Sequence, residues 1–575
     1  MADKDEITRL KIDCKHSVAA LGAQDALGRT VKPCARLRED RQVGLFYFLW
    51  IGQHGSAGYD NTVLTLDEQK KDESTVGLHH YWDEPMFGYY NSEDAWVFRR
   101  HMEMLIDAGI DYLVFDTTNG YIYENVCRNI FPVALEMLEE GWKVPGFIFD
   151  TNHDSCGTVQ KIYDAFFDPD NPDSKKSAPL WYRNADTGNR NKDRKPWIIA
   201  KNNNTGEASG QNYACLPQKV RDCFYLRESA WFVEDTVPYA FATDIDDPTV
   251  HEGMISVSVA QHTSGAFSDS VFESAGRDVN RGRGWSRKDN TNRTERCAEG
   301  TNFQEEWERA FAAGDSVNNI FLSTWNEWVA QKQPAGLYGR STCYFVDQYN
   351  PEFSRDIEPV KNEYGDNFYM QMAENVRRFK GEGEAEPLSL GEIDISLPGT
   401  AWASAREFIC FAGDTASRAC KSADFSAPPY RDDSGRNDIV RLIAACGEHS
   451  LYVAVECREA ITPPQAGDLS WMNVFIGTEN GPWNGLGFVV NRLGPGSICR
   501  LNAAGEAEQV GSARLVIEGN IIKMELPRDL LGIGSGAEVR LKAADHVQDL
   551  GNITDYYIHG DSAPIGRFYY TFRVC

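Results

Sequence analysis

The chain has 575 residues, of which 42% are hydrophobic and 25% charged, and this length suits two domains better than a single core. Its formal net charge is -27, from 85 acidic and 58 basic residues, which argues against nucleic acid or an anionic membrane surface as a partner because both require basic patches. The sequence contains neither the roughly 18 apolar residues of a membrane helix nor the apolar region of a signal peptide. We therefore expect a cytoplasmic protein from the sequence as it stands, and a secreted one if its N-terminus has been shortened.

Seven short apolar runs predict buried strands, and helical patterns follow most of them. This alternation predicts parallel strands joined by crossover helices. A (β/α)8 TIM-like barrel fits best, and a doubly wound open sheet is the competitor, although no Gly-x-Gly-x-x-Gly follows a strand as a dinucleotide fold would require. The strand runs are 44–50, 111–116, 144–150, 196–201, 223–231, 254–262 and 320–324, and the helical runs are 93–109, 130–141, 158–167, 302–314 and 367–381. The eighth strand of a barrel is expected near 342–349, and closure of the ring elsewhere in the chain is the alternative.

The pattern changes near residue 381. Residues 381–390 are rich in Gly and Glu and predict a linker. Beyond them, short alternating runs separated by turn residues predict an antiparallel β-sandwich. We therefore expect a barrel over residues 1–380 and a sandwich over residues 391–575.

Three acidic side chains fall where predicted strands end, namely Asp116, Asp150 and Glu327. In a barrel these ends converge on the functional face. For each carboxylate alone, a structural role as a loop cap or in a salt bridge is as good an explanation as a catalytic role. Burying three carboxylates at one rim is energetically unfavourable, however, so a shared function explains the three together better. Glycoside hydrolysis requires two carboxylates at one concave site, one to protonate the departing oxygen and one to attack the anomeric carbon or activate water.

Aromatic, amide and imidazole side chains near these positions suit sugar binding, because rings stack on sugar faces and polar groups bond hydroxyls. For any single one of them, a place in the core is the simpler alternative. The loop over residues 77–90 is the richest in such groups, and functional residues favour loops. The candidates for substrate binding are His54, His79, His80, Trp82, Glu84, Asn119, His262, Trp285, Trp325, Asn326 and Trp328.

We expect no metal or cofactor in the active site. His79 and His80 are adjacent and point apart, and no His-Glu-x-x-His is present, although an incidental Ca²⁺ in Asp-rich loops stays open. The 14 cysteines contain no Cys-x-x-Cys pair, so we expect buried free thiols and no disulfide framework. The absence of a Gly-x-Ser-x-Gly elbow counts against an esterase.

The motif "STWNEW" at residues 323–328 resembles the corresponding stretch of glycoside hydrolase family 99, the endo-α-mannosidase group, and of related family 71-like barrels. The segment "TWNEWVAQKQ…YFVDQYNPEFSRDIEP…GDNFYMQMAENVRRFKG", together with "HHYWDEPMFGYY" and "FDTTNG", also resembles a large set of uncharacterised bacterial proteins. The resemblance implies a TIM-barrel glycosidase in which Glu327 is catalytic. The family has a second glutamate three residues later, but this chain has Ala330 there, so the partner of Glu327 must come from elsewhere. Asp116 and Asp150 are the candidates.

The C-terminal region resembles family 9 carbohydrate-binding modules in "NDIVRLIAACGEHSLYVAVEC" and "WMNVFIGT". The resemblance implies glycan binding, with Trp402, Trp471 and Trp483 as the candidates that would stack on sugar rings. A packing domain fused to the barrel is the equal alternative.

We predict a glycoside hydrolase acting on an oligosaccharide or polysaccharide. Glu327 is the predicted proton donor, shielded from water by Trp325 and Trp328, and Asp116 is its ionised partner. A partner on a distant strand favours inversion of the anomeric configuration. The alternatives are a non-catalytic glycan-binding protein on a barrel scaffold and a sugar-transferring barrel, since a fold does not determine which chemistry its site performs.

Overall fold

The computed structural model describes residues 17–575 with internal gaps. The residues outside the description are 1–16, 56–57, 185–190, 202–212, 229–249, 251, 262–270, 273–276, 279, 337–339, 347, 362–363, 398–401, 403–404, 425–426 and 479–480, and only the backbone is described for 271–272 and 277–278. The predicted site residue His262 therefore lies outside the described residues. None of the described helices has the length and apolar character of a membrane span.

Seven parallel strands form the central sheet, and each corresponds to one predicted apolar run. All neighbouring pairs are parallel, in the order β5-β4-β3-β2-β1-β7-β6. The described strands form a curled half-barrel in a mixed α/β fold, and they do not close into a ring. The strands are β1 Gln42–Tyr47, β2 Tyr112–Asp116, β3 Gly146–Asp150, β4 Trp197–Ile199, β5 Tyr225–Arg227, β6 Met254–Val257 and β7 Asn319–Leu322.

The eighth parallel strand predicted near residues 342–349 is wrong. Tyr344–Phe345 pairs antiparallel with Val329–Gln333, which pairs antiparallel with His79–Tyr81, and Tyr59–Asp60 completes this separate four-stranded sheet. Val329–Gln333 follows β7 in the chain, so this sheet lies on the side where the parallel strands end. A short apolar run such as 342–349 predicts a strand, but its pattern does not show whether the strand is parallel or antiparallel. Here the run forms a local antiparallel pair.

Five long helices match the predicted helical runs. Asp94 caps the first of them, accepting hydrogen bonds from the backbone N–H groups of Trp96 and Val97, and Gly109 ends it at φ 83°, as helix-capping chemistry requires. The long helices are α1 Ala95–Ala108, α2 Glu124–Glu140, α3 Ser155–Phe166, α4 Thr301–Ala312 and α5 Asn367–Lys380. Shorter α-helices span Leu66–Lys70, Pro172–Ser177, Gln218–Cys223 and Arg528–Leu531, and 3₁₀ turns span Glu73–Thr75, Ala178–Leu180, Thr294–Glu299, Gly314–Ser316 and Ile553–Tyr557.

The two faces of the parallel sheet bury different cores. In β2, Leu113 and Phe115 join the large core that includes the helices, whereas Tyr112 and Val114 join a cluster on the inner face. The inner face is tightly filled near Gly44, where a Cβ atom would lie 1.9 Å from the Tyr112 ring. Because side chains alternate along a strand, the last residue of β2 also lies on the inner face.

The antiparallel strands predicted for the C-terminal region are present in two sheets that share a core. The five-stranded sheet contains, in spatial order, Arg406–Ile409, Ile439–Cys446, Ser450–Cys457, Ile521–Pro527 and Arg514–Glu518. The nine-stranded sheet contains Thr30–Val31, Leu21–Gln24, Tyr569–Arg573, Glu538–Asp545, Asn473–Gly477, Phe488–Val490, Ser497–Leu501 and Ala507–Ser512, with Asp561–Ala563 paired to Glu538–Asp545. Two-stranded pairs join Arg36–Leu37 to Gly381–Glu382, Val271–Phe272 to Arg277–Asp278, and Arg418–Cys420 to Tyr430–Asp432.

The beginning of the chain belongs to the second of these sheets. Leu21–Gln24, which the predicted division places in the barrel, pairs antiparallel with Tyr569–Arg573. Arg377 of α5 donates hydrogen bonds to carbonyl groups of this N-terminal segment, including that of Leu21 at 3.2 Å. The N-terminal segment therefore connects the last long helix to the antiparallel sheets. The domain boundary predicted at 381–390 stays a prediction.

One disulfide departs from the expectation of free thiols. Cys156, in the first turn of α3, is paired with Cys215, and their Cα atoms are 6.1 Å apart. The other cysteines of the described residues are free, and most of them are buried.

Candidate functional site

Asp116 and Asp150 form a pair of carboxylates at the ends of two adjacent strands. They are in register across β2 and β3, and by alternation both lie on the inner face of the sheet. Both are buried, with 4% and 3% of their surfaces exposed. Since neighbouring strands lie about 4.8 Å apart, the two residues are direct neighbours at the carboxyl edge of the sheet.

The loop after β2 ties these two strand ends together. Thr118 donates two hydrogen bonds to Asp116 Oδ1, from its backbone N–H at 3.0 Å and from its hydroxyl at 2.7 Å. Thr117 donates to the carbonyl oxygen of Asp150 from its backbone N–H at 3.0 Å and from its hydroxyl at 2.6 Å. Donors aimed at a carboxylate stabilise its charged form, so this loop favours an ionised Asp116.

An aromatic and imidazole surface follows the ends of β1 and β2. We call it the rim surface; it consists of Trp50, His54, His79, Tyr121 and Tyr123. The His54 ring centroid lies 4.8 Å from that of Tyr121, and the Trp50 ring lies 5.3 Å from that of His79. His54 Nε2 is 3.0 Å from the Tyr123 hydroxyl. Tyr121 is 58% exposed, so part of this surface is open to solvent.

The rim surface is electrostatically connected to the carboxylate pair. Burial raises the pKa of the Tyr123 phenol, and the negative charge of Asp116 raises it further. Burial lowers the pKa of His54, and burial followed by the charge of His54 lowers the pKa of His79. Both imidazoles are therefore stabilised in the neutral form, in which each offers one donor and one acceptor.

Two non-glycine residues near the site have left-handed backbone conformations. Tyr123 has φ 48° immediately before α2, and Asp154 has φ 44° immediately before α3. These positions follow the strands that carry Asp116 and Asp150. Such conformations cost about 1–3 kcal/mol each and cluster at functional sites, so the backbone here supports a functional role for the two loops.

Glu327 is held in a buried ion pair. Its Oε2 accepts hydrogen bonds from Gln348 Nε2 at 2.6 Å and from Arg355 Nη2 at 3.1 Å. Arg355 is fully buried, and Glu327 is 5% exposed. Its backbone N–H donates to Asp356 Oδ1 at 2.6 Å. An arginine in contact with a carboxylate favours the ionised form, whereas the role predicted from the sequence requires a protonated acid.

The tryptophans predicted to stack on sugars lie in the core. Trp82 and Trp328 stack on each other with centroids 4.5 Å apart, and Trp328 Nε1 donates to Glu358 Oε2 at 2.6 Å. Trp325 packs edge-on against the ring of His101. All three tryptophans are fully buried, so the apolar run ending in "TWNEW" completes a core and leaves no ring on the rim.

Three further predicted binding residues, Asn326, Trp285 and His80, contact other parts of the protein. Asn326 Oδ1 accepts from the backbone N–H of Phe48 at 2.8 Å, and its Nδ2 donates to the Phe48 carbonyl at 3.2 Å. Trp285 is buried under the guanidinium of Arg281, 4.7 Å from the ring centroid. His80 is buried and stacks on Tyr59. These contacts hold the three side chains in place, and their predicted role in substrate binding stays a prediction.

Two other predicted binding residues, Asn119 and Glu84, lie nearer the surface. Asn119 is exposed in the loop after β2. Glu84 forms an ion pair with Lys361 at 2.8 Å. With His54 and His79 on the rim surface, these are the predicted binding residues that solvent can reach. The predicted pairing of Asp116 with Glu327 across a pocket stays a prediction.

Comparison with known proteins gives distant neighbours. Two structures of the GH99 endo-α-mannosidase from Bacteroides thetaiotaomicron, one in complex with BIS-TRIS-propane, share 15–16% identity with TM-scores of 0.32 and 0.34, and each match covers 60% of this chain and 98% of that one. A family 9 carbohydrate-binding module from Caldicellulosiruptor kristjanssonii in complex with cellotriose shares 11% identity with a TM-score of 0.16, covering 32% of this chain and 82% of that one. No family model and no curated protein matches. The chemistry of the site therefore rests on its own residues.

Sequence reasoning missed several residues of the site. Trp50 ends the first predicted strand, and Tyr121 and Tyr123 follow "FDTTNG", so aromatic residues just beyond strand ends were an available signal. Arg355 and Asp356 lie in a stretch, "YFVDQYNPEFSRDIEP", that carries a resemblance to other proteins, but only the folded chain brings them to residue 327.

The tryptophans proposed for the C-terminal region are also unavailable as surface platforms. Trp402, Trp471 and Trp483 are 3%, 1% and 3% exposed. The Trp471 ring is fixed by a hydrogen bond from its Nε1 to the Thr462 carbonyl at 2.7 Å. Trp483 nevertheless lines a cavity together with Asn484 and Asn552, so glycan binding through this ring stays a prediction.

His80 should make the protein sensitive to acid. Burial, and then the positive charge of Lys332, lower the pKa of His80 to about 4, below the usual value of about 6.5. Between these values only the unfolded chain binds the proton, so stability is lost as the pH falls from about 6.5 to about 4. His80→Asn should show a smaller loss in urea unfolding across this window, since asparagine keeps a polar group near Asn61, 3.1 Å from His80 Nδ1.

The control for this experiment is the exposed His449. His449→Asn should leave the pH dependence of stability unchanged. If His80→Asn and the wild type lose stability equally between pH 6.5 and 4, His80 is not the group responsible.

Proposed function

We propose that this chain is a glycoside hydrolase built on a (β/α)8 barrel, with Asp116 and Asp150 as its carboxylate pair and the rim surface as its sugar-binding wall. The observation that carries this proposal is the register of the two aspartates across β2 and β3. Two carboxylates side by side at the carboxyl edge of a parallel sheet are the groups that acid and nucleophile catalysis require.

The surroundings suggest how the two aspartates divide the chemistry. Two hydrogen bonds from Thr118 stabilise the charged form of Asp116, which suits it to attack the anomeric carbon. Two carboxylates this close carry one negative charge more readily than two, so Asp150 retains the proton and delivers it to the departing oxygen. Glu327 then has a positioning role, because its charge is already paired with Arg355.

The rim surface provides the recognition that this chemistry needs. Exposed Tyr121 presents an aromatic face, and His54 and His79, favoured in the neutral form, can both donate and accept hydrogen bonds. A flat aromatic face beside neutral donors and acceptors fits an uncharged sugar with several hydroxyl groups.

Glycan binding without catalysis is the second candidate. It is favoured by one observation, the buried ion pair that occupies the Glu327 carboxylate. A binding protein needs the rim surface but has no need of the aspartate pair. The two candidates are therefore distinguished by what Asp116 and Asp150 contribute.

The test is a search for hydrolysis, followed by the stereochemistry of the product. Purified protein is incubated with aryl glycosides and with plant, fungal and host glycans, mannans included, and reducing sugar is measured. The two aspartates are in register on adjacent strands, whose backbones lie about 4.8 Å apart, and we propose that their carboxyl groups stand at the roughly 5–5.5 Å of retaining enzymes and not at the roughly 6.5–9.5 Å of inverting ones. We therefore expect NMR to show a first product with retained configuration, contrary to the inversion favoured by the sequence.

The matched control is the double variant Asp116→Asn/Asp150→Asn, prepared in the same way, which should release no sugar. An inverted first product would exclude the aspartate pair as acid and nucleophile. Binding of a glycan by wild type and double variant alike, with no release by either, would establish the non-catalytic alternative.

A further inference from the structure

Three aspartates from separate segments of the chain, none of them part of the rim surface, lie close together. Asp414 follows the strand Arg406–Ile409, Asp438 precedes Ile439–Cys446, and Asp561 begins Asp561–Ala563. One carboxylate oxygen from each lies within 4.8 Å of the other two. Asp414 and Asp561 are buried, at 5% and 1% exposed. Two of the three carboxylates have thus been removed from water, and Asp438 beside them is partly buried.

The hydrogen bonds of this cluster leave two oxygens unused. Asp561 Oδ2 accepts from the backbone N–H of Ile439 at 2.5 Å, and both oxygens of Asp438 accept from that of Gly413, at 3.1 and 2.9 Å. Within the part of the chain that the structure describes, Oδ1 of Asp414 and Oδ1 of Asp561 are buried and receive no hydrogen bond. Buried acceptors without a donor are costly, and burial raises the pKa of Asp414 and of Asp561, so these two atoms require either a cation or a proton held between the carboxyl groups.

The cationic side chains of Arg100, Lys542 and Arg458 donate no hydrogen bond to either of these two oxygens. Arg100 Nη1 is 3.3 Å from Asp414 Oδ2, but it also contacts Glu103 Oε2 at 3.1 Å, so its charge is shared. Lys542 donates its hydrogen bonds to main-chain carbonyls, including that of Phe568 at 3.3 Å. Arg458 reaches only Asp438, at 3.7 Å, and is largely exposed.

We propose that Asp414, Asp438 and Asp561 bind a calcium ion. Calcium takes oxygen ligands at about 2.3–2.6 Å in flexible geometry, so oxygens within 4.8 Å of one another can share one ion. Magnesium usually keeps several of its waters, which a buried site of three carboxylates disfavours. The ion supplies the positive charge that the two unused oxygens lack.

The position of the site indicates a structural role. Arg100 belongs to α1, and besides the Asp414 carboxylate it binds the Asp414 carbonyl through Nη2 at 3.0 Å. An ion that fixes Asp414 would therefore hold the contact between α1 and the antiparallel sheets. This role is independent of the proposed hydrolase activity.

The test uses the full chain, stripped with EDTA and then dialysed against calcium chloride. Metal analysis should find about one calcium per chain. At a hundredfold excess over Kd, calcium should raise the Tm of this 575-residue chain by about 2 °C, and magnesium should raise it less. A stripped protein that takes up no calcium, with a Tm that calcium leaves unchanged, would overturn the proposal.

Substitutions of the proposed ligands test where the calcium ion binds. Asp561→Asn keeps an acceptor for Ile439 but removes a charged ligand, and it should weaken calcium binding by at least about tenfold, as should Asp414→Asn. The control is Asp468→Asn, whose carboxylate accepts hydrogen bonds from Arg436 at 2.6 Å and from Ser470; it should bind calcium like the wild type. Undiminished binding by both Asp561→Asn and Asp414→Asn would place the calcium elsewhere and overturn the assignment.

Discussion

Asp116→Asn is expected to lower kcat by about 10²–10⁴-fold while leaving the protein folded. Asparagine keeps the shape of the side chain and an oxygen that can accept from Thr118, which donates two hydrogen bonds to Asp116 Oδ1. It cannot supply the negative charge that the proposed attack on the anomeric carbon needs. Turnover is measured on the best substrate of the glycan screen, with Tm as the measure of folding.

Asp150→Asn should cause a loss of similar size for a different reason, since it removes the proposed proton donor. Substrates with good leaving groups need less protonation, so aryl glycosides with acidic phenols should recover more activity in Asp150→Asn than in Asp116→Asn. The matched control is Asp164→Asn, which changes an exposed aspartate on α3 and should leave turnover unchanged. A loss of under about tenfold, roughly 1.4 kcal/mol, in both site variants would remove these aspartates from the chemistry.

Glu327→Gln is expected to destabilise the protein by about 3–5 kcal/mol, because it removes one charged partner of a buried ion pair. Arg355 is fully buried and lies 3.1 Å from Glu327 Oε2. If Glu327 has the positioning role that we propose, turnover by the folded variant should stay within about tenfold of the wild type. Urea unfolding and kinetics on the same preparation separate the two effects.

The complementary variant is Arg355→Met, which should be destabilising for the same reason. The double variant should lose less stability than the sum of the single losses, since the two residues form one interaction. Glu84→Gln breaks the more exposed ion pair with Lys361 and should cost under about 1 kcal/mol. Unchanged stability combined with a loss of turnover above about a hundredfold in Glu327→Gln would restore it as the proton donor predicted from the sequence.

The elements of the fold were determined by local features of the sequence. The helical pattern at 93–109 predicted α1 almost to its ends, because the capping residues Asp94 and Gly109 are themselves visible in the sequence. The apolar runs at 111–116 and 144–150 predicted β2 and β3, and with them the positions of Asp116 and Asp150 at strand ends. Periodic burial and helix capping act between residues close in the chain, which is why they can be read without a structure.

The roles of individual side chains were decided by the tertiary structure. No local pattern predicts that Arg355 neutralises Glu327, or that Trp328 stacks on Trp82 in the core. A carboxylate that ends a strand looks the same in the sequence whether its partner is a substrate or a buried arginine. The difference lies in the contacts that distant segments bring to it, and because burial strengthens electrostatic interactions, those contacts determine its charge and its chemistry.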